Sequence, residues 1–352
     1  MRSHINELDL KEWSWNGILL VSALCLCGSQ VCAQAPGAVQ LRIDIEKTVN
    51  YYEDITDYSK FAVDSGPKGA APSLNFSGGV SLADIVAVNG EPVKGTAFGQ
   101  QVTVVSRPNA AAGQAIADVF SGGPVEWILE IQSATDTTLD EMGRPFSIGT
   151  IVVRGLAGDA RPAGVPIVGG GNFTVIGGTG AFVGARGQAV FTPPTAPSRS
   201  ASYGEDPANR RKLAGGTFRF WVNLIPMTRP EILVTPNGPA VVHSSNNSMV
   251  SAAAPAQAGE LLTLYATGCG PTRPALDPGQ QFQSSPLSIV QVPLRLTVNG
   301  APAEVLYAGG YPGSDDTYQI NFRMPPNVTP GSATLQLISA WIPGKEASIT
   351  VR

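Results

Sequence analysis

The sequence predicts an all-β protein in two parts: a domain of short antiparallel strands, then an immunoglobulin-like β-sandwich. Three observations predict it. Gly 40 and Pro 29, against only 14% charged residues, favour turns over long helices. Short apolar or alternating runs recur with turn signals between them and no amphipathic helix separating them. A hydrophobic fraction of 43% over 352 residues is enough for two cores. The expected division is a signal segment at 1–33, a first β domain at 38–226, a proline-rich linker at 227–240 and the sandwich at 241–352.

In chain order, residues 18–26 are an apolar run of signal-peptide length, and Val31-Cys32-Ala33 offers small residues for cleavage after Ala33. Glu7, Asp9 and Glu12 against Arg2 and Lys11 depart from the usual positive start, which leaves the start codon open. The run is too short to span a membrane, and Cys25, Cys27 and Cys32 sit in no lipobox. The expected product is therefore secreted, with no membrane span after signal removal. Only Cys269 then remains, so no internal disulfide forms, and this thiol reads as a small buried hydrophobe.

Residues 41–45 alternate as a strand, with Arg42, Asp44 and Glu46 on the face opposite Leu41, Ile43 and Ile45. Residues 80–88 run to Asn89-Gly90, a tight-turn dipeptide. Further strands are expected at 98–105, 114–120, 125–131, 150–155 and 216–224, and residues 192–213 read as a polar loop. Beyond the linker, runs at 241–243, 249–253, 261–266, 294–298, 303–308, 317–323, 333–338 and 347–351 suit a sandwich of short strands, with Asn299-Gly300 as a hairpin turn.

The glycine-rich stretch 169–191 admits two readings. A dinucleotide fingerprint needs a strand before the glycines and a helix after them. Here Gly180 to Gly184 leaves three intervening residues where the fingerprint has two, and the chain runs on to Pro193-Pro194 with no room for a helix. The other reading is an antiparallel hairpin, 172–176 against 188–191, whose glycines supply positive φ and close strand approach. The hairpin is the reading that fits.

The segment Val175-Ile176-Gly177-Gly178-Thr179-Gly180-Ala181-Phe182-Val183-Gly184-Ala185-Arg186-Gly187 resembles the hairpin of dirigent proteins and of the wider allene oxide cyclase-like barrels. Gly149-Thr150-Ile151-Val152-Val153-Arg154-Gly155 is similar to the strand before it. The resemblance implies a closed antiparallel barrel of eight strands with an apolar central cavity. It also implies a small hydrophobic ligand and, where the barrel is active, cofactor-independent cyclisation or isomerisation. Barrels of that family are often trimeric, so an oligomer stays open. The family's aromatic-His-Asp strand has no counterpart, since Tyr51-Tyr52-Glu53-Asp54 lacks the His. In the second part, the residues from Gly259 to Thr272, then Val305-Leu306-Tyr307-Ala308-Gly309 and Tyr318-Gln319-Ile320-Asn321, resemble a C-terminal module of exported soil-bacterial proteins. That module carries an aliphatic residue at the place of Cys269, and it implies an accessory or adhesion role.

A net charge of −4 gives no basic surface for nucleic acid. The two histidines are His4 in the leader and His243, which reads as an exposed strand-edge residue. Without His or Cys in the first domain, a Ser-His-Asp or Cys-His nucleophile and a His/Cys zinc site are excluded there. Catalysis would fall to strand carboxylates and bases, of which the candidates are Asp44, Glu46, Asp118, Glu126, Glu130 and Arg154. An inward carboxylate in an apolar cavity would hold its proton and serve as an acid; an outward one is a solvated surface group. Asp315-Asp316 reads as a turn and not as a calcium loop. No cofactor or metal is expected. Two functions stand: a secreted barrel binding a small hydrophobic molecule, or a non-catalytic structural or adhesive surface protein.

Overall fold

The computed structural model describes residues 37–52, 75–105, 123–140, 142–157, 170–192, 199–202, 204–206, 209–213, 215–277 and 279–352. The expected signal segment 1–33 and the expected strand 114–120 lie outside the described residues.

The first nine strands are β1 (Val39–Tyr52), β2 (Asn75–Val88), β3 (Glu91–Val105), β4 (Gly123–Ser133), β5 (Ser147–Ala157), β6 (Gly170–Gly178), β7 (Arg186–Thr192), β8 (Arg199–Ser202) and β9 (Phe218–Ile225). Eight of them close an antiparallel barrel in the order β2-β3-β4-β5-β6-β7-β9-β1, and β1 returns to β2. Period-two patterning drives the closure. On β4, Val125, Trp127, Leu129 and Ile131 are buried while Glu126, Ile128 and Glu130 between them are partly open. The β2–β3 turn is Asn89-Gly90, with φ of 52° and 86°, the left-handed pair that a two-residue hairpin requires. Asn89 also ties that turn to β1: its amide donates to the Arg42 carbonyl and its side-chain oxygen accepts from the Arg42 amide, both at 2.8 Å.

The glycine-rich stretch is the expected hairpin, with Phe173 opposite Ala189, Thr174 opposite Gln188 and Val175 opposite Gly187. The chain leaves the glycines directly into β7, not into a helix. A single 3-10 turn, Gly180–Phe182, drops the fully buried Phe182 into the core. That turn lies against β5: a Cβ on Gly149 would sit 2.3 Å from the Thr179 carbonyl oxygen.

Residues 192–213, read as a loop from their polarity, contain β8, which runs parallel to β1 from Arg199 opposite Val49 to Ser202 opposite Tyr52. Local composition hides this strand because its support is distant. Ala201 packs with Val49 and Tyr51 in a small satellite core, and Arg199 donates to Glu205 at 2.6 Å.

The second region holds β10 (Glu231–Ile232), β11 (Val234–Thr235), β12 (Gly238–Pro239), β13 (Val241–His243), β14 (Leu261–Thr267), β15 (Thr272–Arg273), β16 (Ile289–Val290), β17 (Leu294–Val298), β18 (Ala301–Gly310), β19 (Tyr318–Arg323), β20 (Gly331–Ser339) and β21 (Ile342–Val351). The path is β10-β14-β19-β18-β17-β20-β21. The start of β18 pairs with β17 and the remainder with β19, so one strand serves two sheets of a nearly closed sandwich. Its core includes Leu262, Leu264, Leu296, Ile320, Phe322, Leu335 and Leu337. Proline-rich residues 227–240 contribute β10, which pairs with β14 and buries Ile232. The expected strand 249–253 is reduced to one bridge, Val242 with Met249, because Ser251–Ala254 folds into a turn instead.

Residues from Ala38 to Arg352 form one compact unit. At the β20–β21 turn, Ala340 and Trp341 adopt φ of 47° and 64°, uncommon for residues with a Cβ. Ala340, Trp341, Ile342 and Val292 belong to the same buried cluster as the barrel core. The Trp341 indole N–H donates to Glu91 Oε2 at 2.9 Å, and Arg295 pairs with the same carboxylate. Nearby, the Arg273 guanidinium lies 4.2 Å over the Phe146 ring, a cation–π contact.

The tightest backbone approach in the hairpin gives a direct test. Gly187 has φ +146°, and a Cβ there would meet the Asn223 carbonyl oxygen at 2.0 Å. Gly187→Ala should cost on the order of 3 kcal/mol, read as a lower urea midpoint at unchanged slope.

Candidate functional site

The barrel has two chemically distinct faces. Inward residues on β1, β4, β5, β6 and β9 are Leu41, Ile43, Ile45, Leu129, Ile131, Ile151, Val153, Phe173, Val175, Phe220, Val222 and Leu224, all in one buried cluster. Trp127, Phe173, Phe191, Phe218 and Phe220 form an aromatic group within it, with ring centroids 5.5–6.3 Å apart. Tilted and edge-on contacts at this spacing are the favoured aromatic geometry.

The candidate carboxylates and base lie on the other face. Asp44, between the buried Ile43 and Ile45, accepts from Arg219 Nε and lies 3.4 Å from Arg42 Nε. Glu46 is exposed. Glu126 and Glu130 alternate with the buried residues of β4. Arg154 is exposed and stands directly opposite Glu126 across β4–β5, with Glu130 opposite Thr150. Asp118 lies outside the described residues. The structure thus brings Asp44 and Glu46 together, places Glu126 beside Arg154, and turns none of these five toward the aromatic group. Asp44, Glu46, Thr192 and Arg219, together with the core residues Ile45 and Phe218, line a groove of about 380 Å³. The Asp44 carboxylate is held there between the Arg219 and Arg42 guanidinium groups.

In the sandwich, Cys269 is fully buried, and burial pushes its thiol far above the ordinary range, so it is inert as a nucleophile. Tyr318 donates to the Gly270 carbonyl at 2.8 Å, and burial pushes its hydroxyl up to about 12. Asp315-Asp316 sits in the expected turn: Ser314 Oγ accepts from the Asp316 and Thr317 amides at 3.3 and 2.9 Å. Among the described residues no three His, Cys, Asp or Glu side chains converge as a metal site. On the outer face of β14, β19 and β18, Tyr265 and Tyr311 meet edge to face at 5.4 Å. Sequence reading missed this face, although Thr263/Tyr265, Gln319/Asn321 and Tyr307/Gly309 alternate with core residues on their strands.

No protein-family model matches the chain, and comparison with curated proteins gives no match. A crystal structure of the N-terminal domain of the Streptococcus gordonii adhesin Sgo0707 is similar at 10% identity, over 91% of this chain and 93% of that chain, with a TM-score of 0.17. Agreement that low carries no argument about fold or function.

His243 is not the exposed strand-edge residue its sequence context suggests; it is 8% exposed. Nδ1–H donates to Glu260 Oε1 at 2.5 Å and Nε2–H to the Ala254 carbonyl at 3.1 Å. Two acceptors select the imidazolium. The Glu260 hydrogen bond raises the His243 pKa above its ordinary value, burial opposes the rise, the Ala254 carbonyl adds to it and Arg352 counters it. Glu260 Oε2 also accepts from the Gln257 amide at 2.8 Å, so the pair pins the segment before β14. A raised folded pKa gives stability that is fully present below the unfolded value of about 6.5 and is lost as pH rises through the folded value. The thermal midpoint should therefore fall above about pH 6.5, and His243→Gln should remove that part of the fall. An identical pH profile in the variant would rule out this assignment.

Proposed function

We propose that the protein is an exported, non-catalytic structural or adhesive surface protein whose barrel is a packed scaffold joined to an accessory sandwich. The observation that carries this reading is the sidedness of the barrel. Its described inward residues are apolar and touch one another apart from the buried Ser81, which donates to Asn50 at 2.7 Å, while Asp44, Glu46, Glu126, Glu130 and Arg154 lie on the outside. A cyclase or isomerase would need an acid, base or charged group aimed at a ligand inside. The leader at 1–33 supports export, and the division into 38–226, 227–240 and 241–352 belongs to this proposal. So does kinship with the dirigent and allene oxide cyclase-like barrels, supported by the hairpin residues and by eight-strand antiparallel closure. Such a barrel retains the architecture and uses its interior for stability.

Core and surface substitutions separate the two functions. Phe220→Ala should cost about 3–5 kcal/mol of unfolding free energy, measured by urea denaturation. Glu126→Gln and Glu130→Gln should each change it by less than about 0.5 kcal/mol. A near-neutral Phe220→Ala, with a gain or loss of affinity for an apolar small molecule, would instead identify the interior as a ligand chamber.

A further inference from the structure

From the outer face of β14, β19 and β18 we infer a binding site for a neutral polysaccharide. The inference rests on the non-catalytic reading and supplies the partner class that it lacks. Alternation puts Leu262, Leu264, Ile320 and Phe322 into the sandwich core and leaves Tyr265, Gln319 and Asn321 half-buried on the other face, over the buried Thr263. In register, Thr263 stands opposite Asn321 and Tyr265 opposite Gln319. On the other side of β19, Tyr307 stands opposite Asn321 and Gly309 opposite Gln319.

These side chains are pre-ordered. Asn321 Oδ1 accepts from Thr263 Oγ1 and from Gln319 Nε2, each at 3.0 Å, and Thr263 Oγ1 meets Ser244 Oγ at 2.9 Å. With Oδ1 doubly engaged, the amide nitrogen of Asn321 and the carbonyl oxygen of Gln319 have no partner among the described residues. The network thus fixes a donor and an acceptor in place before any ligand arrives, which lowers the entropic cost of binding. Aromatic surface flanks them. Tyr265 and Tyr311 stand at 86° to each other, forming a corner, and Tyr311 is 42% exposed. Gly309 shapes the other side: a Cβ there would lie 2.4 Å from the Tyr307 hydroxyl, so the missing side chain lets the phenol lie along the strand.

Charge and backbone narrow the occupant. The rows from Tyr265 through Gln319 to Tyr307 carry no Lys, Arg, Asp or Glu, and at the far end Arg323 and Glu304 satisfy each other at 3.1 Å. A polyanion would need unpaired cations. A peptide adding as a strand would need an open edge, but β19 is paired on both sides and lies between β14 and β18. What fits is an uncharged ligand presenting both hydroxyl groups and apolar ring faces, the chemistry of a sugar chain. Amide and tyrosine hydroxyl groups match its hydroxyls, and tyrosine rings match its C–H faces.

The test is affinity electrophoresis of the purified protein in gels containing soluble starch, hydroxyethylcellulose, galactomannan or dextran, with polygalacturonate as the charged comparison. We expect retardation by at least one neutral polymer, insensitive to salt, and weakened at least fivefold by Tyr311→Ala at an unchanged thermal midpoint and by Asn321→Ala measured well below its own thermal midpoint. No retardation by any neutral polymer, retardation by polygalacturonate alone, or retardation indifferent to both substitutions would overturn the inference. Those results would leave the packed barrel untouched. Conversely, an apolar ligand inside the barrel would overturn the scaffold reading, whatever the gels show.

Discussion

Closure of the barrel through β9 is the constraint on which the rest depends. β9 lies between β7 and β1, and its residues from Phe218 to Leu224 pair with Ile45 to Val39. Two segments from opposite ends of the first region thus share a register that one residue of slip would invert. Such a slip would carry Leu41, Ile43, Phe220 and Val222 to the surface and bring Arg42, Asp44 and Arg219 inward. Burying that many large apolar side chains, each worth about 1.5–3 kcal/mol, makes the inverted register inaccessible. The outward position of Asp44, Glu46, Glu126 and Glu130 follows from the same alternation.

The second region meets the first through the β20–β21 turn, Val292, Arg295 and Arg273. Trp341 reaches the barrel cluster only because Ala340 and Trp341 accept left-handed conformations, a local strain offset by burial and by the hydrogen bond to Glu91. The side of the sandwich that carries β14, β19 and β18 has a different character, with amides, hydroxyls and tyrosines in place of charge.

Features governed by short-range rules were legible in the sequence. Asn89-Gly90 and Asn299-Gly300 have the left-handed φ pairs that their residue types imply, the alternation of 41–45 and 125–131 identifies the core rows, and the glycine-rich stretch is a hairpin. Features governed by distant partners were not. β8 exists through parallel pairing with β1 and ion pairs that polarity alone reads as loop. His243 is buried with its hydrogen-bond partner Glu260, 17 residues on, which accepts from Nδ1–H. The candidate acids could be ranked by residue type, but facing follows from barrel register. The tyrosine face escaped because each of its residues looks like ordinary strand alternation until three strands are set side by side.

Native mass spectrometry of the purified protein tests the central claim, that the barrel interior is occupied by its own side chains. The account predicts a mass equal to that of the polypeptide, with no stoichiometric small-molecule adduct that denaturation releases. An apolar molecule bound at one per chain, and lost on unfolding, would contradict it.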